Sequence, residues 1–182
     1  MIKSILIANR GEIACRIIKT AKKLGIKSSV IYSSEDENSL AVQMADHAFF
    51  LESHDGEKKE YLDTDQIISI ALKNKIEAIH PGYGLLSEKP EFAKACNKAG
   101  ISFIGPTAEI MEKLGNKANA RKIAEKAGVP VIPASDILPD NPKDLIKIAK
   151  KLGFPLMLKA SWGGGGRGMR LINNIKDVEK NI

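Results

Sequence analysis

Cysteine, aromatic residues and long apolar runs are all scarce in this sequence, and each scarcity removes a class of protein. The two cysteines, Cys15 and Cys96, fall inside helix-patterned stretches of a lysine-rich, mixed-charge chain. Nothing in that setting favours pairing them, and reduced thiols packed as small hydrophobes are expected. Aromatics make up 5% of the residues and no arginine cluster accompanies them, so the stacking platforms of single-strand nucleic-acid binders are missing. No apolar run nears the roughly 18 to 20 residues of a membrane span. Met1-Ile2-Lys3-Ser4 leads straight into a strand-like segment rather than a signal peptide, so a cytoplasmic protein without a membrane partner is expected. The P-loop pattern G-x-x-x-x-G-K-[ST] is absent. His47 and His54 have no companions at metal-ligand spacing, which leaves a zinc site unsupported.

What remains is a chain of 182 residues with 43% hydrophobic content, long enough for one domain plus part of another. Its net charge of +6 comes from lysines scattered beside glutamates, the pattern of a solvated surface rather than of a nucleic-acid groove. Strand-like and helix-like segments alternate from residue 4 to residue 104. Residues 4–8 read as a short buried strand. In the helix expected over 12–24, Ile13, Ile17, Ile18, Ala21 and Leu24 share one face before Gly25. A strand over 27–33, a short helix over 38–45 and a strand-like run over 47–51 follow, then a polar loop over 52–61. Asp63 and Gln66 have capping-box spacing ahead of a helix over 65–74. Residues 77–80 form a strand ending in Pro81-Gly82-Tyr83-Gly84, Ser87 is placed to cap a helix over 88–99, and 101–104 supply a further strand.

This alternation predicts an α/β fold with a doubly wound, mostly parallel sheet over residues 1–114. From residue 109 two helical stretches, 109–114 and 117–127, run almost together, which places a domain boundary near Gly115 and a second domain over 115–182. Residues 131–132 can form a strand. Asn141 as cap, Pro142 in the first turn and Asp144 introduce a helix over 145–152 that Gly153 ends. Strands over 156–160 and 169–172 then flank a glycine loop, and 176–182 begins a helix.

The run Lys159-Ala160-Ser161-Trp162-Gly163-Gly164-Gly165-Gly166-Arg167-Gly168-Met169-Arg170 is the strongest local signal. It contains G-x-G-x-x-G, but that pattern indicates a dinucleotide fold only where a helix follows it, and here a strand follows. A glycine loop between two strands is instead a flap whose bare N–H groups can close over phosphates. Lys159, ending the incoming strand, can add a positive charge to the same phosphates. Elsewhere the choices stay open. Arg10 and Glu12, beside the helix start at Gly11, either hold an anion or form a structural ion network. Glu35 and Asp36 read as solvated loop acids, and His80, at a strand's carboxyl end, as a structural or catalytic histidine.

Five separated motifs, in order, resemble the biotin carboxylase family: Ile7-Ala8-Asn9-Arg10-Gly11-Glu12-Ile13-Ala14, His80-Pro81-Gly82-Tyr83-Gly84-Leu85-Leu86-Ser87-Glu88, Phe103-Ile104-Gly105-Pro106, Gly115-Asn116-Lys117 and the Lys159 to Arg170 run. The resemblance covers the whole chain. Trp162 before the glycines is similar to the pyruvate carboxylase branch, whereas separate acetyl-CoA carboxylase subunits usually have glycine there. The resemblance implies a Rossmann-like, pre-ATP-grasp domain followed by the start of an ATP-grasp domain whose lid carries the glycine loop. It implies ATP-driven carboxylation of carrier-linked biotin by bicarbonate through carboxyphosphate, with Mg²⁺ or Mn²⁺, the biotin being attached outside this chain. Lys117, Lys159 and the backbone at Gly164, Gly165 and Gly166 match ATP contacts, Met169 matches a position beside the adenine, and Tyr83 and Gly84 match a loop on the biotin side.

Fixed charge and oriented N–H dipoles suit phosphoryl transfer, but two metal ions need carboxylates, and after the loop only Asp177 and Glu179 remain. The resemblance implies that the metal-binding acids, the bicarbonate-binding arginine and the general base lie beyond Ile182, with no catalytic or metal residue in this chain, which alone should be inactive. A homo-oligomeric parent is implied, although Lys19 and Lys23 depart from the mixed-sign dimer contact of some bacterial relatives. The alternatives are the biotin carboxylase subunit of an acetyl-CoA or other acyl-CoA carboxylase, another ATP-grasp ligase, or a non-catalytic α/β interaction module.

Overall fold

The structure, a computed structural model, describes residues 1–53, 60–139, 141–159 and 168–181, with the side chains of Glu179 and Asn181 left out. It separates into two compact units, Met1–Met111 and Glu112–Ile182. In the first unit the elements run β1 (Ser4–Ile7), α1 (Gly11–Lys23), β2 (Lys27–Tyr32), α2 (Leu40–Met44), β3 (His47–Phe50), α3 (Thr64–Lys73), β4 (Ala78–His80), α4 (Pro90–Lys98) and β5 (Ser102–Phe103). Then α5 (Ala108–Gly115) carries the chain across the division.

The five strands form one sheet in the order β3-β2-β1-β4-β5, every neighbouring pair parallel. A parallel sheet is covered on both faces, so its strands read as continuous apolar runs, and the central strand shows why. Leu6 packs on one side with Ile31, Ile79, Ile67, Phe92 and Cys96, from neighbouring strands and from α3 and α4. Ile5 and Ile7 point to the other side, against Ala14, Ile17, Ile18 and Ala21 of α1. The chain moves outward from β1 to β2 and β3, then returns to add β4 and β5 on the other edge. That reversal makes a switch point between β1 and β4, where such sheets open a crevice beyond the carboxyl ends of their strands.

Local chemistry departs from the expected pattern at several places. Leu24 does not join the buried face of α1; it is the exposed C-cap, because Gly25 at φ +68° has already turned the chain toward β2. Ser87 does not cap α4. Its N–H donates to Gly84 O in a turn, and Pro90, with its fixed φ, starts the helix after Lys89. Asp63 does cap α3, its Oδ1 accepting from Gln66 N at 2.9 Å, but the Gln66 amide turns to Glu52 instead of returning to the cap's own N–H. No strand forms over 131–132: Pro130 and Pro133 remove ladder donors on either side, and Ile132 is 86% exposed. That stretch is held by Arg121, which donates to Ala134 O at 2.7 Å, and by a Lys122–Asp136 ion pair of 2.9 Å.

Both cysteines are free, Cys15 half-buried and Cys96 buried. Burial pushes the Cys96 thiol up to about 11, so its thiolate is scarce at neutral pH. A disulfide reagent at pH 8 is expected to titrate Cys15 in the folded protein and Cys96 only after denaturant is added. Rapid native modification of both thiols would contradict this.

In the second unit, α6 (Lys117–Lys126), α7 (Pro142–Leu152), β6 (Leu156–Lys159), β7 (Met169–Ile172) and α8 (Ile175–Asn181) follow. Asn141 caps α7 by accepting from Lys143 N at 3.0 Å, with Pro142 in the first turn, as the residue types predict. A small core joins Ala149, Ile172 and Val178 with Ile146, Leu156 and Leu158.

Candidate functional site

In the second unit β6 and β7 are antiparallel, with Lys159 opposite Met169 and Met157 opposite Leu171. Directly opposite residues share a face of the pleat, and positions two apart along a strand share it too. These four side chains therefore make one face, and it is open: Met157 and Met169 are 44% exposed and Leu171 57%, whereas Ile172 on the other face is 2% exposed. The result is an apolar strip of three side chains with an ammonium group beside it. Such a strip can take the flat face of a base while the ammonium meets an anion. Met157 and Leu171 were not singled out from the sequence, because Leu156, Met157 and Leu158 are all apolar and only the pleat separates their faces. Lys117 is the exposed first residue of α6, after an Asn116 cap that accepts from Ala118 N and Asn119 N. Gly164, Gly165 and Gly166 lie outside the described residues.

In the first unit the carboxyl ends of β1 and β4 meet at the switch point. Asn9 Nδ2 donates to Pro81 O at 2.7 Å and to Tyr83 O at 2.9 Å. Gly82 takes φ +64°, and a Cβ there would sit 2.7 Å from Asn9 Nδ2, so the turn needs glycine. Tyr83 is exposed, its hydroxyl donating to Glu12 Oε1 at 2.6 Å, and Gly84 follows at φ +64°. His80 Nδ1 accepts from Gly82 N at 3.1 Å, which puts the proton of the neutral ring on Nε2.

Arg10 resolves the choice left open at the helix start in favour of a structural network. Its Nε and Nη2 each meet an Asp36 carboxylate oxygen at 2.6 Å, and its guanidinium lies over the Tyr61 ring. Asp36 is not a solvated loop acid; it is 9% exposed and also accepts from Tyr61 Oη at 2.7 Å. No local pattern announces this, because the partners come from three separate turns. Arg10 holds the Asp36 carboxyl below its usual range, and burial lowers His80. Both folded values lie below the unfolded ones, so each contribution to stability is present above the unfolded pKa and lost on acidification. The urea midpoint, followed by circular dichroism, is expected to be level near pH 7 to 8. It should fall as pH drops below 6.5 through His80, and again below 3.8 through Asp36. A midpoint that rises on acidification would contradict both signs.

Among the described residues no group of three or more His, Cys, Asp or Glu side chains comes together that could hold a metal ion. Asp177 is engaged at the start of α8, accepting from Asn173 N at 3.0 Å and Asn174 Nδ2 at 3.1 Å. The described residues therefore do not fit a magnesium site.

Residues 1–111, the whole switch-point unit, match the family model for the biotin carboxylase N-terminal domain. The chain belongs to the biotin carboxylase family. Residues 116–182 match the model for the ATP-binding domain of the carbamoyl-phosphate synthase L chain, so the Rossmann-like unit of a biotin carboxylase is followed by the start of its ATP-grasp domain. The chain is similar to the biotin carboxylase of Halalkalibacterium halodurans, 50% identical over 99% of this chain and 40% of that protein. It is also similar to mitochondrial pyruvate carboxylase of Homo sapiens, 42% identical over 99% of this chain and 15% of that protein. Among solved structures it resembles the biotin carboxylase domain dimer of 2-oxoglutarate carboxylase from Hydrogenobacter thermophilus, determined with MgADP, ADP and bicarbonate. That match has a TM-score of 0.92 at 42% identity over 100% of this chain and 40% of that one. The chain thus spans about two-fifths or less of the length of the relatives it matches.

Proposed function

We propose that this chain is the amino-terminal part of an enzyme that carboxylates carrier-linked biotin with bicarbonate at the expense of ATP. Support comes chiefly from the hairpin face, where Lys159 stands opposite Met169 and beside Met157 and Leu171. ATP supplies the phosphoryl group that activates bicarbonate. Lys159 contributes a fixed positive charge where negative charge grows during transfer, and the three apolar side chains take the base. Lys117 adds a second cation, and Gly164, Gly165 and Gly166 contact the phosphates. Tyr83 and Gly84 form the biotin side.

The carboxyl acceptor is pyruvate, on the strength of Trp162 before the glycines. The second reading, an acyl-CoA carboxylase subunit, draws on the 50% identity to a protein named simply biotin carboxylase. The parent is cytoplasmic and homo-oligomeric, the latter testable by light scattering of the full-length protein. Bicarbonate-dependent ADP release with free biotin checks the reaction: the full-length protein should turn over and the 182-residue chain should not. Absence of biotin-dependent release from the full-length protein would overturn the proposal. Oxaloacetate formed from added pyruvate separates the two acceptors.

A further inference from the structure

The proposed function leaves the turn between β1 and α1 without a task, yet that turn is built around the loop after β4. Asn9 is 4% exposed and spends its whole amide locally. Its two N–H donors reach Pro81 O and Tyr83 O, and Oδ1 accepts from Arg10 N at 2.9 Å. The partners are 72 and 74 residues away in sequence. They meet because Ile7 pairs with His80 in the sheet and Ala8 N continues the ladder to His80 O at 2.9 Å. Gly82 is pressed against Asn9 on one side and bonded to His80 on the other, so the loop's inner backbone has little room to move. Tyr83 is then directed outward, and Glu12, in the first turn of α1, takes its hydroxyl. Backbone and side chain of Tyr83 are thus both held from the same short turn.

We propose that Asn9 and Glu12 are positioning residues for the biotin-side loop: the β1–α1 turn sets where Tyr83 presents its ring and where the Gly84 backbone lies before substrate arrives. This rests on the proposed biotin carboxylation for what the loop receives. The energetic reason is preorganisation. A tyrosine on a glycine-flanked loop has many conformations, and ordering it during folding removes that cost from each binding event.

The test uses the full-length protein with Asn9→Ala, Glu12→Ala and Glu12→Gln. It reads KM for free biotin, KM for ATP and the hydrogen exchange of the Gly82 and Tyr83 amides. Asn9→Ala is expected to raise the biotin KM about tenfold or more, to leave the ATP KM within about twofold, and to speed exchange at Gly82 about tenfold. Glu12→Ala should raise the biotin KM about threefold, and Glu12→Gln, whose side-chain oxygen still accepts from the Tyr83 hydroxyl, should restore it. Glu12 is exposed, so its two variants carry the test even where Asn9→Ala fails to fold. The inference is overturned by an unchanged biotin KM in folded Asn9→Ala, by an equal rise in the ATP KM, or by Glu12→Gln matching Glu12→Ala. Should the unaltered protein show no biotin-dependent turnover, the proposed function fails. The exchange rates still decide whether Asn9 and Glu12 hold the loop.

Discussion

Replacing Lys159 with alanine in the full-length protein is expected to weaken ATP binding by about 10- to 100-fold, measured by calorimetry or as the ATP KM, with no change in unfolding midpoint. The size follows from a charge-assisted hydrogen bond to phosphate, about 1.5–3 kcal/mol, where every 1.4 kcal/mol is about tenfold. The unchanged stability follows because Lys159 is exposed at the end of β6, where the core-facing side chains are Leu156, Leu158 and Ile172. Lys159→Arg should recover part of the affinity, since the charge is kept and its geometry altered. Undiminished ATP affinity in Lys159→Ala would remove the hairpin from the nucleotide site.

Phe92→Ala should act on the opposite axis, leaving ligand chemistry intact but taking about 3–5 kcal/mol from the first unit. Phe92 is fully buried between the sheet and α3, and its ring meets Phe103 edge-on at a centroid distance of 5.9 Å. Leu6, Ile79, Cys96 and Ile101 surround it, so truncation opens a hole that rigid strands cannot close. Against a typical total of about 5–15 kcal/mol, that loss is a large shift in the urea midpoint. Phe92→Leu should cost clearly less. A midpoint for Phe92→Ala equal to that of the unaltered protein would mean the core sits elsewhere.

Much of this architecture is legible in the residues themselves. The run Ser4-Ile5-Leu6-Ile7, the apolar face of α1 and the proline-led start of α7 all act over a few positions, which is why the elements appear close to their expected places. Caps and edges are harder. Ser87 has the right side chain, but Pro90 decides where the helix begins. Val131 and Ile132 have strand chemistry, but the flanking prolines deny them partners. The site divides the same way. Lys159 and Met169 announce themselves beside a glycine run, and the pleat adds Met157 and Leu171. Asn9 and Asp36 gave no such sign, because their importance lies in groups brought from 25 to 74 residues away.

The central place of β1 also matters while the protein is being made. It leaves the ribosome ahead of β2 and pairs with it soon afterwards, but its other edge is completed only when Ala78–His80 emerges and pairs with Ile5–Ile7. Through that interval the nascent chain carries an unpaired, wholly apolar edge, the kind of surface that invites chaperones or a second nascent chain. Chains halted on the ribosome after Lys75 should accordingly be digested quickly by protease, and those halted well past Phe103, with β4 and β5 free of the tunnel, should resist.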